Sequence, residues 1–202
     1  MKHLLVATTN AGKLREIRQI LHDVPVEVRS LADVPPVPEP EETGATFEEN
    51  ARQKALYYAH ATGMLVVAED SGLEIDDLDG EPGIYSARFA ADQAPTYPEK
   101  FAVIYRRLRE RRGRIESPAR FVCALALAEG ARVLFEARGT VEGHITQPPR
   151  GSGGFGYDPI FFYPPFSSTL AELDSARKAS VSHRGAAFRR LHDYLKPSVS
   201  TA

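Results

Sequence analysis

Apolar positions along the chain follow two rhythms. Short runs rich in β-branched or other apolar residues occupy 4–8, 64–69, 120–128 and 132–138, and predict strands. Residues 25–31 supply one more candidate strand. A helical period runs through 14–22, 46–61, 97–112 and 175–195. In the first of these, Leu14, Ile17, Ile20 and Leu21 line one side, while Lys13, Arg15, Glu16 and Arg18 lie elsewhere. Thr46 with Glu49 three residues later makes a capping-box pattern. Pro98 suits the first turn of the third helix. Strands mixed with helices predict an α/β protein with a mixed sheet. Two stretches look irregular: 33–44, with Pro35, Pro36, Pro38 and Pro40 among Glu39, Glu41 and Glu42, and the glycine-rich 147–166. There is no internal repeat, and the tail Pro197–Ala202 is expected to fray.

The 202 residues fit one domain, or one domain with a small lobe, and can bury a core without staples. A net charge of −2 supplies no global basic field for nucleic acid. The single cysteine, Cys123, excludes an intrachain disulfide and a cysteine zinc cluster. Its run Phe121–Leu125 predicts a small buried hydrophobe. The start Met1–Ala7 turns polar too soon for a signal peptide, and no run approaches the roughly 18 apolar residues of a membrane span. A cytoplasmic protein is expected.

Several segments could carry chemistry. Thr8–Thr9–Asn10–Ala11–Gly12–Lys13 lies between a predicted strand and helix. Backbone N–H groups at a helix start suit phosphate, and Lys13 adds a full charge. It is not a Walker A loop, since the upstream glycine is missing and Leu14 stands in place of Ser/Thr. Glu69–Asp70–Ser71–Gly72 closes an apolar strand, at the rim where α/β sheets take ligands. Adjacent strand residues point to opposite faces, so Glu69 and Asp70 should do different jobs. Two carboxylates near a triphosphate suit Mg²⁺; a solvated acidic turn is the plain alternative. The carboxylates of Glu39, Glu41 and Glu42 could complete a metal site, or merely cap the helix that follows. Asp76, Asp77 and Asp79 read as a solvated turn.

Gly151–Ser152–Gly153–Gly154–Phe155–Gly156 formally matches G-x-G-x-x-G, but no strand precedes it and Asp158–Pro159 follows instead of a helix. Glycines around an exposed aromatic would let a flat base approach the backbone and stack on Phe155; the alternative is a flexible hairpin. Lys178 and Ser182 share a helical face, with His183 and Arg184 just beyond. They read as a cationic edge with a polar reader for a base, or as solvated surface. Ser182 and Gly185 suggest a break between two helices. The arginines of 106–114 could meet RNA, yet Tyr105 is the one neighbouring aromatic, and a solvated helix end is preferred. The histidines show no zinc spacing.

Taken in order, these segments resemble the inosine triphosphate pyrophosphatase family, also called XTP/dITP diphosphatases. The likeness runs through Leu5–Lys13, Glu41–Ala51, Asp70–Leu73, Pro82–Arg88, Gly153–Phe161 and Ser182–Arg184. Ser182–His183–Arg184 and Gly154–Asp158 are its most distinctive pieces. The resemblance implies an elongated α/β fold, with a central mixed sheet flanked by helices and two lobes around a substrate cleft. It implies a homodimer that hydrolyses ITP, dITP and XTP to the monophosphate plus pyrophosphate with Mg²⁺, and binds neither nucleic acid nor membrane. By matching positions, Thr8, Thr9, Asn10, Ala11, Gly12 and Lys13 would cradle phosphate. Asp70 would be the catalytic acid/base and a metal neighbour, and Glu41 the second metal carboxylate, with Glu42 the competing alignment. Ser71, Phe155, Gly156, Tyr157, Asp158, Lys178, His183 and Arg184 would contact substrate. Lys54 is a further phosphate candidate. The first loop departs from the family where it reads Thr-Thr-Asn, and Glu69 stands where aspartate is common. Arg184 and the N–H groups near Phe155–Tyr157 would donate to a purine 6-oxo group.

Overall fold

The structure, a computed structural model, describes residues 2–196; the tail Pro197–Ala202 lies outside the described residues. Its strands are β1 (Lys2–Val6), β2 (Val26–Ser30), β3 (Leu65–Ile75), β4 (Pro118–Glu129), β5 (Arg132–Ile145), β6 (Phe161–Tyr163) and β7 (Ser168–Thr169). Its α-helices are α1 (Ala11–Ile20), α2 (Phe47–Thr62), α3 (Tyr97–Arg112), α4 (Ser175–Val181) and α5 (His183–Leu195). The strands form one sheet in the order β2-β1-β3-β4-β5-β6-β7. It is mixed, as expected. β1 runs parallel to β2 and to β3, with Leu5 opposite Arg29 and Val66. β6 is antiparallel to both β5 and β7. The parallel neighbours are joined through α1 and α2, the crossovers that parallel pairing requires.

The chain divides into two compact units. Unit 1 holds the chain up to Asp70, Cys123–Gly139 and the chain from His183 on; unit 2 holds Ser71–Val122 and Thr140–Ser182. β3, β4 and β5 each give a part to both. The unit 1 core gathers Leu4, Val6, Ile17, Leu65, Val67, Leu125, Phe188 and Leu191, with Cys123 fully buried among them as its sequence predicts. The unit 2 core gathers Leu73, Ile75, Phe101, Ile104, Leu108, Phe121, Ile145, Tyr157 and Phe161.

Local chemistry explains most boundaries. Thr46 Oγ1 accepts the Glu49 N–H at 3.1 Å, but Glu49 reaches back to the Ala45 N–H rather than to Thr46, so the capping box is displaced by one residue. α3 starts with a complete box between Thr96 and Glu99. The long helical period at 175–195 resolves into two helices because Ser182 is extended, with ψ 154°.

Two expectations are corrected. The strand predicted to end at Glu69 runs on to Ile75, so Glu69–Gly72 is mid-strand and not a rim turn. Gly72 is there for space: a Cβ would lie 2.3 Å from the Gly83 carbonyl and 2.4 Å from Ser86 Oγ. The second correction joins two segments. The turn of Asp76, Asp77 and Asp79 is not simply solvated, and the arginines of α3 are not simply a free helix end. Arg112 pairs with Asp77 at 2.7 Å, Arg111 with Asp79, and Arg107 with Glu81. Arg120 on β4 pairs with Asp76 at 3.0 Å. Much of the basic run is therefore matched by acid from its own unit. Sequence spacing hides such pairs, because about thirty residues separate the partners.

Candidate active site

In unit 1, β1 leads into the loop Ala7–Asn10 and then into α1. The turn is built by its own side chains. Thr8 Oγ1 accepts the Asn10 N–H at 3.2 Å, and Asn10 Oδ1 caps the Lys13 N–H at 3.0 Å. This N-cap opens the helix at Ala11 and sets the first-turn amides, with Thr9, Ala11 and Gly12, at a positive helix end. The Lys13 ammonium lies 2.9 Å from Glu69 Oε1.

The pleat of β3 separates the two neighbouring carboxylates, as alternation predicts. Glu69 is buried, and the Arg184 guanidinium grips it through Nε–Oε2 at 3.0 Å and Nη2–Oε1 at 3.1 Å. Cys123 Sγ donates to the same carboxylate at 2.9 Å. Burial alone would raise the Glu69 pKa; the charges of Arg184 and Lys13 overcome it and hold the carboxyl well below the usual range.

Asp70 meets a different set of groups. Asn50 Nδ2 donates to its Oδ2 at 3.0 Å, and Asn50 Oδ1 accepts the Gly44 N–H at 2.8 Å, which ties the acidic loop to α2. Burial, reinforced by the nearby negative charge of Glu42, raises the Asp70 pKa, while Asn50, Lys54 and Lys13 work against the rise. A carboxylate pushed upward in this way is a better proton acceptor. Lys54 joins the group, donating to Glu42 and lying 3.4 Å from the Glu69 carbonyl oxygen. Glu41 is exposed, whereas Glu42 is half-buried and acts on Asp70. Among the described residues no group of three or more Asp, Glu, His or Cys side chains is placed to hold a metal. The Glu42 and Asp70 carboxylates are hard oxygen donors of the kind Mg²⁺ uses in pairs when substrate phosphates complete its shell, so the residues fit that ion.

Unit 2 carries the second cluster. The glycine-rich run leads into a single turn at Asp158–Ile160. Asp158 organises it: its Oδ2 accepts the Phe155 N–H at 2.8 Å and pairs with Lys178 Nζ at 2.7 Å. Gly154 has φ +68°, and a Cβ there would sit 2.1 Å from Asp158 Oδ2, so only glycine lets the loop close on this carboxylate. Lys178 is buried, with its ammonium 4.4 Å from the Phe155 ring centroid. Of the two readings of Lys178, solvated surface is thus excluded. Tyr157 is buried, and its hydroxyl donates to the Ser86 carbonyl at 2.8 Å. Burial raises its pKa.

Sequence reasoning missed two residues of this cluster. The Tyr97 ring meets Tyr157 edge-on at 5.2 Å and borders Gly156. Lys100 is buried under it, its ammonium 5.2 Å from the Tyr97 centroid and bonded to the Ala87 carbonyl. Burial lowers the Lys100 pKa. Their one sequence signal was the start of α3, which capping alone explained. In unit 1, Asn50 was missed because a polar residue inside a helix carries no mark of the carboxylate it will face.

The expected residues therefore fall into two groups. Thr8–Lys13, Glu42, Lys54, Asp70, His183 and Arg184 belong to unit 1, and Ser71, Phe155–Asp158 and Lys178 to unit 2. Arg184 and the Phe155–Tyr157 amides, paired in the sequence reading as donors to one oxygen, sit in different units. Arg184 is 1% exposed, with its fork on Glu69 and Glu16.

Comparisons with known proteins bear on the family of the chain. A sequence model of the Ham1 family matches residues 4–194. A dITP/XTP pyrophosphatase of an Exiguobacterium strain is 47% identical over 194 residues, covering 96% of this chain and 97% of its own. The dITP/XTP pyrophosphatase of Bacillus subtilis is 44% identical, covering 97% and 98%. Among solved structures, a HAM1 protein from Coxiella burnetii matches with a TM-score of 0.88 at 38% identity, over 96% of this chain and 98% of that one. The Ham1 protein of Staphylococcus aureus matches with 0.83 at 36%, with the same coverage.

Proposed function

Because the chain belongs to the Ham1 family, we propose that it is a nucleoside-triphosphate pyrophosphatase that hydrolyses dITP, ITP and XTP to the monophosphate and pyrophosphate. The observation that carries the reading is the Asp70 carboxylate: buried, raised in pKa, held by Asn50, and set beside Lys54 and Glu42 within reach of the Lys13 charge. An acceptor of this kind, next to cations at a helix start, suits attack of water on a phosphorus atom.

The chain's own residues divide the work. The first turn of α1 and Lys13 receive phosphate oxygens. Lys54 adds a second charge, held in place by Glu42. Asp70 orients the attacking water and accepts its proton; attack falls on the α-phosphorus, the bond to the β-phosphate breaks, and pyrophosphate leaves. Glu42 and Asp70 would hold Mg²⁺, in preference to the exposed Glu41. When bound, the ion neutralises charge that builds on the phosphates. Preorganised cations do the same without reorganising during the reaction.

Unit 2 supplies the base reader. Phe155 offers a face, Gly156 leaves room for close approach, and backbone amides of 155–157 donate to a 6-oxo acceptor. Adenine carries a 6-amino donor there, and a site built for one pattern can reject the other by on the order of 10⁴-fold. We read the enzyme as a homodimer on the strength of the family resemblance, and as cytoplasmic from the early polar residues of its start and the lack of a long apolar run. No helix among the described residues is long and apolar enough to cross a membrane.

Pyrophosphate release from ITP, XTP, ATP, GTP and dUTP, with and without Mg²⁺, tests the reading. Release from ITP and XTP that needs Mg²⁺ and far exceeds release from ATP is expected. Preference for a pyrimidine nucleotide would move the reading to another base, and no release from any substrate would overturn it.

A further inference from the structure

We propose that Glu69 is a positioning residue that holds the Lys13 ammonium at the start of α1, with Arg184 fixing Glu69 in turn. The inference rests on the reading above, in which Lys13 meets phosphate, and it gives Arg184 a task other than touching the base.

The arrangement is a closed chain of charges within unit 1. Glu69 Oε1 accepts from Lys13 Nζ at 2.9 Å and from Arg184 Nη2 at 3.1 Å. Its Oε2 accepts from Arg184 Nε at 3.0 Å and from Cys123 Sγ at 2.9 Å. Four donors on two oxygens leave the carboxylate one orientation. Arg184 Nη1 then reaches Glu16 Oε2 at 2.7 Å. Glu16 stands three residues after Lys13, on the same face of α1. The circuit therefore leaves α1 at Lys13, crosses β3 and α5, and returns to α1 one turn later.

Burial gives this circuit a direction. The Glu69 and Arg184 side chains are 2% and 1% exposed, and that of Lys13 is 21% exposed. Water, and any ligand, can enter at the lysine end. A lysine has a long flexible stem, and fixing it before a ligand arrives removes an ordering cost from binding. A private Glu–Lys pair would do so at the expense of the charge that phosphate needs. Here Glu69 is shared between Lys13 and Arg184, and Arg184 in turn is shared with Glu16, so the Glu69 charge is not given to Lys13 alone. A guanidinium suits the second place because its planar fork spans both carboxylate oxygens, which an ammonium cannot do.

The test is a double-mutant cycle on binding of inorganic pyrophosphate, by calorimetry without added metal. It compares the wild type, Lys13→Ala, Glu69→Gln and the double variant, each first shown folded by circular dichroism. Each single change should weaken binding about tenfold, the loss of one charge-assisted contact. The double variant should bind within about twofold of Lys13→Ala, because Glu69 acts through that lysine. Glu69→Gln binding as the wild type does, a Glu69 effect undiminished on the Lys13→Ala background, or a wild type that does not bind pyrophosphate would each overturn the proposal. If Glu69→Gln does not fold, Glu69→Asp takes its place in the cycle; it keeps the charge, draws it back from Lys13, and is read against the same outcomes. Turnover of dITP is measured separately. Coupled pyrophosphate binding without turnover would sink the pyrophosphatase reading and leave the positioning role standing.

Discussion

In unit 1 the site side chains are held mainly by full charges: Lys13 by Glu69, Glu69 by Arg184, Arg184 by Glu16, and Lys54 by Glu42. In unit 2 the loop Gly153–Asp158 is held mainly by rings, carbonyls and one buried ion pair. Tyr97 lies edge-on to Tyr157, the Tyr157 hydroxyl meets Ser86, and Asp158 closes on Lys178 and the Phe155 amide. Charged networks exchange readily with a charged ligand and change strongly when one member is lost. Rings and backbone hydrogen bonds fix shape and are little changed by an approaching anion. Each taken by itself, the charges of unit 1 suit phosphate, and the rings and amides of unit 2 suit a flat base. Loss of Asp70 in unit 1 should then appear chiefly as lost turnover, whereas loss of a buried charge in either unit should also cost stability.

The sharpest break in this comparison is Asp70→Asn. The isosteric amide keeps the shape and removes the proton acceptor, so kcat should fall by about 10²–10⁴-fold while the melting temperature stays close to that of the wild type. Wild-type kcat in a folded Asp70→Asn protein would remove Asp70 from the chemistry.

Lys178→Met in unit 2 should do the reverse. It leaves the buried Asp158 without its cation, and loss of one partner of a buried pair costs about 3–5 kcal/mol. Urea unfolding should register that loss. In whatever fraction stays folded, preference for ITP over ATP should decline further than turnover does. Unchanged stability would mean that Asp158 does not depend on Lys178.

A smaller effect is expected from Tyr157→Phe, about 1 kcal/mol for its hydrogen bond to Ser86. The pH dependence sharpens this prediction. Burial raises the Tyr157 pKa above its unfolded value of about 10. The native state then holds its proton more tightly than the unfolded chain. The resulting stability is fully present below about pH 10 and is lost as pH climbs beyond it. Tyr157→Phe should flatten part of that alkaline decline in unfolding free energy. Tyr58, Tyr97, Tyr105 and Cys123, raised chiefly by burial as well, contribute to the rest. An unaltered alkaline limb would argue against the buried hydroxyl.

Much of this was legible in the chain, and the rest was hidden for physical reasons. The mixed α/β character and the start of α3 followed from periodicity and capping, which act locally. The opposite duties of Glu69 and Asp70 followed from the two-residue repeat of a strand. What failed was tertiary. Nothing local marks Asn50 as the partner of Asp70, twenty residues away. Gly72 looked like a turn because glycine breaks strands, yet it is kept for the close approach of Ser86. The arginines of α3 read as a solvated helix end and stay largely exposed, but local sequence did not show that three of them pair with acids on the preceding turn. For Lys178 the local pattern left a cationic edge and a solvated surface both open, and its burial against Asp158 and Phe155 excludes the second.

The proposed reaction is hydrolysis at the α-phosphorus of a nonstandard purine triphosphate. It is tested most directly by turning over ITP in heavy-oxygen water and weighing the products. The products should be inosine monophosphate carrying one heavy oxygen and unlabelled pyrophosphate. Label in pyrophosphate or in free orthophosphate, or no turnover at all, would contradict it.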